Sequence, residues 1–265
     1  MKRPELLYYH LADGVTAFST TRNGGMSQGV YGEMNINPFC GDDEVMVEMN
    51  RCLLAKELGI SEQMIFLPQQ VHGTDCFWVE PMFLKLPAGE QHRQLAGVDA
   101  LVTQLQGVCI GVSTADCIPI VLFDPRLRVA AVVHAGWRGT ARRIVQRVID
   151  GMQSTFGTVP ADLLAQIGPG ISMKNFEVGD EVYEDFLVDG FNMEQISRRF
   201  PTDDGGEKWH IDLPRCNYLQ LKEAGLIDYN IKSCGVCTYD HADNYFSARR
   251  LGADCGRLFT GIIIR

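Results

Sequence analysis

The sequence predicts a single α+β domain over residues 1–265. Four strand-like apolar runs follow one another closely between residues 98 and 133, a spacing typical of a sheet or sandwich. Segments with helical periodicity flank these runs, and helix and strand signals alternate irregularly along the chain. No repeat, low-complexity tract or linker divides the sequence, so we expect one domain.

The composition is that of an ordinary globular protein, with 46% hydrophobic and 22% charged residues. A net charge of −9 argues against nucleic acid or an anionic membrane as the main partner, because both favour basic patches. No apolar run approaches the roughly 18–20 residues that span a bilayer, and the N-terminus lacks the pattern of a signal peptide. We therefore expect a cytoplasmic protein of unknown oligomeric state.

The nine cysteines follow no short repeating spacing, which predicts reduced and mostly buried thiols. Cys234 and Cys237 form the one close pair, with the spacing of a zinc ribbon. No second pair of this kind and no nearby histidine accompanies them, so we expect core or redox-inert thiols.

In the first hundred residues, the patterns predict a strand over 15–21, a helix over 42–58, a short strand over 65–67 and an exposed loop with strand remnants over 77–94. Asp42 or Asp43 can cap the helix and Gly59 can end it. Prolines and polar residues underlie the loop prediction.

The rest of the chain predicts further strands over 98–103, 108–113, 118–123, 129–133, 165–168, 227–233 and 258–264. Apolar residues recur at helical spacing from Ala141 to Met152, and Thr140 is a plausible N-cap for that helix. Two more helices are predicted over 180–188 and 213–224.

A predicted hairpin in the middle of the chain carries reactive residues at its open end. Cys117 precedes the run at 118–123, and His134 follows the run at 129–133. If these runs are antiparallel, the start of one lies beside the end of the other. Cys117 and His134 would then be neighbours, although they are 17 positions apart in sequence.

His72 shares the context of these two residues, since it also lies among small and turn-forming residues at the end of a short apolar run. Two imidazoles and one thiolate suit zinc, and three protein ligands leave the fourth tetrahedral position open, as in catalytic sites. His72, Cys117 and His134 are therefore candidate zinc ligands. Any one such residue is more often a hydrogen-bonded core residue than a ligand, and the long gaps match no short zinc motif.

Two alternatives use the same residues differently. Cys117 could be the nucleophile of a metal-free cysteine hydrolase with His134 as its base, oriented by Asp116 or Asp99. The metal could instead stabilise a non-catalytic interaction protein. Among possible substrate contacts, Arg22 and Arg138 could bind an anion such as phosphate, with a surface loop as the plain alternative for Arg22.

The chain resembles the YfiH family, also called the multicopper polyphenol oxidase (laccase-like) or peptidoglycan editing factor family. The matching stretches are Thr21–Gly25, Met34–Ile36, Gly41–Asp43, Asn50–Arg51, Gln70–Thr74, Gly97–Thr103, Thr114–Pro119, Val133–Gly139, Ile167–Gly170 and Phe246–Arg250. They cover nearly the whole chain in order. The usual FFSYRR motif of the family differs here, because its first aromatic is Tyr245 and its tyrosine is Ala248.

The resemblance implies an αββα-type sandwich of mixed sheets layered with helices, shared with certain cysteine-dependent toxin domains. It implies that His72, Cys117 and His134 bind zinc, or copper in some descriptions. It further implies phosphorolysis of adenosine, inosine, guanosine and methylthioadenosine, together with adenosine deamination. Other descriptions of the family give laccase activity or editing of peptidoglycan precursors.

Chemistry favours some of these activities over others. A laccase that fully reduces dioxygen needs several coppers and many histidine ligands, whereas this chain has six histidines. Water activated by zinc accounts directly for deamination. Phosphorolysis needs a phosphate pocket, for which Arg22, Arg138 and Arg249 are candidates. We therefore expect a zinc enzyme acting on purine nucleosides and phosphate, with a cysteine hydrolase for cell-wall precursors or a copper polyphenol oxidase as alternatives.

Overall fold

Two β-sheets lie face to face between two layers of helices in the computed structural model, which describes residues 3–202 and 205–265. Residues 1, 2, 203 and 204 of the predicted domain lie outside the described residues. The six-stranded sheet has the order β13 (Ile231–Ser233), β9 (Leu164–Ile167), β7 (Ile118–Asp124), β8 (Val129–Ala135), β5 (Ala100–Thr103) and β4 (Cys76–Trp78). The five-stranded sheet has the order β1 (Leu6–Tyr9), β2 (Val15–Thr20), β14 (Leu258–Ile264), β6 (Cys109–Thr114) and β3 (Ile65–Phe66).

The β7–β8 hairpin forms the centre of the six-stranded sheet, and every residue of both strands is buried. One face packs on helices, where Ile120 and Val133 contact the cluster that contains Ile149. The other face packs on the five-stranded sheet through residues such as Val132. Burial on both faces explains why these strands have continuous apolar runs rather than alternating ones.

The helices cover the outer faces of the two sheets. Their bounds are α1 (Glu44–Leu58), α2 (Ala88–Gln94), α3 (Trp137–Ala141), α4 (Ile144–Phe156), α5 (Asp180–Val188), α6 (Met193–Ile196), α7 (Leu213–Glu223) and α8 (Ala248–Leu251). Helix α1 covers the five-stranded sheet, and α4 and α7 cover the six-stranded one. Short 3₁₀ turns occupy Gly29–Tyr31, Glu62–Met64, Phe83–Lys85, Pro160–Asp162, Met173–Asn175 and Asp228–Asn230. The predicted αββα sandwich is thus confirmed.

Helix α1 illustrates how local sequence sets an element. The Asp43 side chain accepts hydrogen bonds from the Val45 and Met46 amides, so it is the N-cap. Gly59 ends the helix at a left-handed φ of 67°, a conformation that glycine adopts without strain. Leu54 packs into the sheet, where burying such a side chain contributes about 1.5–3 kcal/mol. The predicted cap and stop of this helix are confirmed. The predicted apolar face, which included Val45, Met49 and Cys52, is wrong, because these side chains are exposed.

The helix predicted to begin at Thr140 is wrong at its start. Helix α3 already begins after Gly136, and Thr140 lies inside it. The chain then breaks at Arg143, whose φ of 63° is left-handed, and α4 begins at Ile144. This break separates the turn after His134 from helix α4. The apolar face of α4 packs on the six-stranded sheet along its whole length.

The loop predicted over 77–94 is also wrong in part. It contains most of β4, which pairs in parallel with β5, and it ends in helix α2. The strand predicted over 227–233 is shorter than expected, because a 3₁₀ turn occupies Asp228–Asn230 and β13 follows it. A small third sheet was not predicted; it has the order β10 (Glu177–Val178), β12 (Glu207–Ile211) and β11 (Ser197–Pro201). None of the helices in the described parts of the chain could cross a membrane.

Candidate metal centre

Three side chains from separate segments converge at the open end of the β7–β8 hairpin. One ligand atom from each of His72, Cys117 and His134 lies within 4.8 Å of the other two. The two imidazole rings meet edge to face, with their centroids 4.8 Å apart. We call these three residues the central triad. His134 is buried, Cys117 is partly buried and His72 is exposed, so the triad opens to solvent on one side.

The hairpin register sets the distance between Cys117 and His134. Pro119 pairs with His134 and Ile118 pairs with Ala135, so Cys117 precedes the strand directly beside His134. The predicted antiparallel hairpin is confirmed. Asp116 has a positive φ of 86°, a conformation that aspartate adopts more often than most residues with a side chain. Its carboxylate accepts hydrogen bonds from the Thr238 hydroxyl at 2.6 Å and the Arg249 amide at 2.7 Å, which fixes the cysteine turn.

His72 reaches the hairpin from the loop between β3 and β4. Its backbone has a φ of 60°, a left-handed conformation that is uncommon outside glycine, although histidine adopts it more often than most residues. The loop is clamped to β6 by Gln70, whose side chain donates to the Ser113 carbonyl at 2.9 Å and accepts from the Ser113 amide at 2.7 Å. This clamp holds His72 beside the strand ends of both sheets.

Asp99 connects the His72 loop to the hairpin. Its fully buried carboxylate accepts a hydrogen bond from His134 Nδ1 at 2.7 Å. It also accepts the backbone amides of Val71, His72 and Gly73 at 3.2, 3.0 and 2.8 Å. Of the two aspartates that we considered as partners of His134, the structure places Asp99 in that position. Asp116 bonds other segments instead.

The triad stabilises a thiolate and an imidazolium in the absence of metal. Burial alone raises the pKa of Cys117, but the charges and hydrogen bonds of His134 and His72 outweigh it and lower that pKa to about 6. Burial likewise lowers the pKa of His134, but Cys117 and Asp99 raise it to about 9. Burial raises the pKa of Asp99, yet its bonds to His134 and to backbone amides hold it below the ordinary value.

The residues present fit a metal ion in both chemistry and space. Because Asp99 occupies Nδ1 of His134, the other ring nitrogen is left to act as a ligand. Gly136 leaves room at the triad, since a Cβ atom there would lie 2.7 Å from His72 Cδ2 and 3.1 Å from Cys117 Sγ. Two imidazoles and a thiol of lowered pKa form a donor set that suits zinc.

Comparison with known families identifies the chain. The model of the multi-copper polyphenol oxidoreductase laccase family matches residues 16–265, which are almost the whole sequence. The chain belongs to this family. Its resemblance to YfiH proteins is confirmed by structure as well, because YfiH of Bacillus licheniformis superposes with a TM-score of 0.90 at 26% identity. That superposition covers 99% of this chain and 97% of the other.

Two relatives in the laccase-like family carry names that state an activity. A protein of Bacteroides thetaiotaomicron named purine nucleoside phosphorylase is 40% identical, over 94% of this chain and 92% of its own length. A protein from an unknown prokaryotic organism, named adenosine deaminase RL5, is 43% identical over 94% of both chains. The relatives thus include enzymes named for purine nucleoside chemistry, and their matches span the whole fold.

Two of the three arginines singled out in this family member make hydrogen bonds within the fold. Arg22 donates from Nε to the Gly32 carbonyl at 2.9 Å and from a terminal nitrogen to the Ala242 carbonyl at 2.7 Å. The side chain of Arg249 donates to the Glu177 carbonyl at 3.0 Å. Both guanidiniums therefore link segments of chain around the site.

Arg138 is placed differently, because its exposed guanidinium lies over the Trp137 ring with 4.2 Å to the ring centroid. Its side chain makes no hydrogen bond or ion pair with any other residue in 3–202 or 205–265. Trp137 is partly buried against the core of the six-stranded sheet, so it provides a fixed platform. Among the three arginines, Arg138 has the guanidinium that is freest to bind an external anion.

A second group of candidate ligands was not predicted from the sequence. Glu48, Cys52 and Glu62 also offer ligand atoms within 4.8 Å of one another, on the outer side of α1. We call them the surface cluster. Glu48 and Cys52 are exposed, and the Cys52 thiol donates to a Glu62 oxygen at 2.5 Å. Neither Cys234 nor Cys237 belongs to a group of this kind within the residues described.

Sequence reasoning missed two residues that shape the candidate metal centre, Gly136 and Gln70. The role of Gly136 in leaving space could be suspected only from its position two residues after His134. Gln70 gave no signal of its own, because its bonds to Ser113 depend on how β3 and β6 pair. Neither feature follows from residue type or short-range spacing.

Proposed function

We propose that this protein is a zinc-dependent enzyme of purine nucleosides that catalyses phosphorolysis and adenosine deamination. The observation that carries the proposal is the central triad, a donor set of two histidines and one cysteine at the solvent-facing end of a rigid hairpin. The names of the relatives from Bacteroides and of the deaminase RL5 support the substrate class. Adenosine, inosine, guanosine and methylthioadenosine are the proposed nucleosides.

His72, Cys117 and His134 would hold the metal. When bound, zinc supplies Lewis-acid chemistry suited to activating water or polarising a substrate oxygen. The chain supplies the conditions for its binding: Cys117 is deprotonated at neutral pH, and Asp99 keeps a proton on Nδ1 of His134 so that the other nitrogen faces the triad. Copper is the alternative occupant, since imidazole and thiolate also suit that metal.

Arg138 is the residue that we propose for phosphate binding. It follows the triad at the start of α3, and its guanidinium stacks on Trp137 without a hydrogen bond or ion pair to any described residue. A guanidinium binds phosphate through paired hydrogen bonds, and a stacked one loses less side-chain entropy when it does so. In the same proposal, Arg22 and Arg249 shape the binding site, since carbonyl oxygens already occupy several of their donors.

A product assay tests the function directly. Zinc-loaded protein is incubated with adenosine, with and without inorganic phosphate, and the bases and nucleosides are separated chromatographically. We expect inosine in both reactions, and adenine together with ribose 1-phosphate only when phosphate is present. Absence of inosine, adenine and hypoxanthine would overturn the proposal.

A metal-free cysteine hydrolase acting on a cell-wall precursor is a second candidate. It is favoured by one observation: Cys117 lies beside His134, and His134 hydrogen-bonds Asp99, which is the order of a nucleophile, its base and an orienting carboxylate. Metal analysis separates the two candidates. One equivalent of metal that survives dialysis and is lost in Cys117→Ser excludes the hydrolase, because one thiol cannot serve as ligand and nucleophile together.

The ligand count opposes a multicopper oxidase mechanism. Only two groups of candidate ligands occur among the described residues, and only the central triad contains histidine. A trinuclear copper cluster requires many more imidazoles than this. We also propose a cytoplasmic location, which is supported by the nine cysteines, all free thiols, as expected in a reducing compartment.

A further inference from the structure

A single buried carboxylate contacts two of the three triad residues. Asp99 Oδ1 accepts hydrogen bonds from the His72 amide at 3.0 Å and from His134 Nδ1 at 2.7 Å. Its Oδ2 accepts the Val71 amide at 3.2 Å and the Gly73 amide at 2.8 Å. All four donors point at a side chain with no exposed surface, so solvent cannot replace it.

We propose that Asp99 is the positioning residue of the metal centre, which sets the tautomer of His134 and the backbone of His72 at the same time. The inference rests on the proposed metal-binding function of the central triad. Asp99 contacts no metal or substrate itself but determines whether His72 and His134 face the same point.

The His72 loop depends on this carboxylate for its conformation. His72 lies at a φ of 60°, which costs energy for a residue with a side chain. Three consecutive amides that converge on one charged acceptor offset that cost, because bonds to an ionised group are stronger than neutral ones. Without the Asp99 carboxylate, the three loop amides have no buried charged acceptor. The His72 backbone is then no longer held in this conformation.

The hairpin side of the site depends on Asp99 just as closely. Its backbone carbonyl accepts the His134 amide at 2.8 Å, so main chain and side chain both hold the same histidine. A carboxylate that accepts from Nδ1 keeps the proton there and leaves Nε2 as the ligand atom. Asparagine cannot substitute, since its NH₂ group would face either the loop amides or the imidazole proton.

The test compares Asp99→Asn with Asp124→Asn. Asp124 is a matched control, because it is also fully buried and accepts two backbone amides, those of Arg126 and Leu127 at 3.0 and 2.9 Å, at the opposite end of the same hairpin. Metal-free proteins are titrated with zinc in competition with a chelating dye. We expect Asp99→Asn to weaken zinc binding about 10–100-fold, and Asp124→Asn to leave it within about twofold.

A spectroscopic measurement distinguishes positioning from general stability. With cobalt in place of zinc, the visible absorption band of Asp99→Asn should shift and weaken, since its ligands no longer hold one geometry, while that of Asp124→Asn should match the wild type. Equal zinc affinity and an unchanged cobalt spectrum in folded Asp99→Asn would overturn the proposal.

The wild-type protein provides a test that does not depend on folding of the variant. Nitrogen-15 NMR of the zinc-loaded protein reports which ring nitrogen of His134 carries the proton. A proton on Nδ1 is expected, and a proton on Nε2 contradicts the proposal outright. Zinc affinity, the cobalt spectrum and the NMR measurement do not depend on nucleoside turnover. Failure of the adenosine assay would therefore reject the proposed enzyme activity, while these three measurements would still decide the role of Asp99.

Discussion

The central triad and the surface cluster place similar numbers of metal-ligating atoms at similar distances, yet they differ in almost every other respect. Each contains one cysteine and two further ligands within 4.8 Å. The triad combines its thiol with two imidazoles at the end of a buried hairpin. The surface cluster combines its thiol with two carboxylates on the solvent side of a helix.

The neighbours of each thiol decide its charge. The hydrogen bond to Glu62, followed by partial burial and the carboxylate charges, raises the pKa of Cys52 to about 11. The imidazoles beside Cys117 overcome a much larger cost of burial and lower its pKa to about 6. Only a thiolate binds metal, so Cys117 is ready at neutral pH and Cys52 is not. Proximity of ligand atoms alone is therefore a poor guide to a metal site.

Removing each thiol in turn gives the largest expected difference. Cys117→Ser should lose zinc and lower turnover about 100-fold or more, because it deletes a charged ligand. Cys52→Ser should keep both metal content and turnover within about twofold. Metal analysis and the adenosine assay measure the two effects. Equal losses in both variants would show that the two thiols do not differ in metal binding.

Thiol reactivity against pH provides a second contrast, in protein freed of metal by a chelator. A thiolate is the reactive form and is populated above the pKa. Alkylation of Cys117 should therefore rise through pH 6 and level off, whereas that of Cys52 should still be rising near pH 11. At pH 7, peptide mass spectrometry should find Cys117 labelled at least about tenfold faster, although it is less exposed. Added zinc should protect Cys117; faster labelling of Cys52 would refute the assignment.

The space at Gly136 can be filled without disturbing the backbone, since its φ of −68° suits any residue. Gly136→Ala would put a methyl group against His72 and Cys117, so zinc affinity should fall about tenfold through displacement of the ligands. Gly89→Ala is the control, because a Cβ atom there meets no atom within 4 Å. Competition titration measures both variants, and an unchanged affinity for Gly136→Ala would mean that the ligands do not need this space.

The smallest effect is expected in the surface cluster itself. Glu62→Gln removes the main cause of the raised pKa of Cys52, so alkylation of Cys52 at pH 8.5 should become several-fold faster. Glu57→Gln is the control, because Glu57 lies on the same helix as Cys52 but bonds Arg3. Unfolding free energies should change by no more than about 0.5 kcal/mol for Glu62→Gln. An unaltered labelling rate would show that Glu62 does not control the thiol.

The hairpin and α1 could be predicted because their determinants are local. Two apolar runs around a polar turn specify the hairpin, and Asp43 and Gly59 mark the ends of α1. The break at Arg143 could not be predicted, because the helical period continues across it and only packing around the hairpin end decides where α3 stops. The third sheet was missed because its strands lack clear alternation of apolar residues.

For the site, the sequence indicated the candidate ligand residues but not the geometry that joins them. His72 is 45 positions from Cys117, and its proximity depends on the Asp99 carboxylate and the Gln70 clamp, which are tertiary contacts. The surface cluster was missed for a related reason. Glu48 and Cys52 share a helix face, but Glu62 joins them only because the chain turns back after Gly59.

The position of β14 has a consequence for synthesis of the protein. This strand is late in sequence, yet it pairs with β2 on one side and β6 on the other, in the interior of the five-stranded sheet. A nascent chain that has not reached residue 264 leaves β6 without this neighbour, and β6 is the strand to which the His72 loop is clamped. Ribosome-bound intermediates should therefore acquire zinc only after β14 has emerged from the exit tunnel.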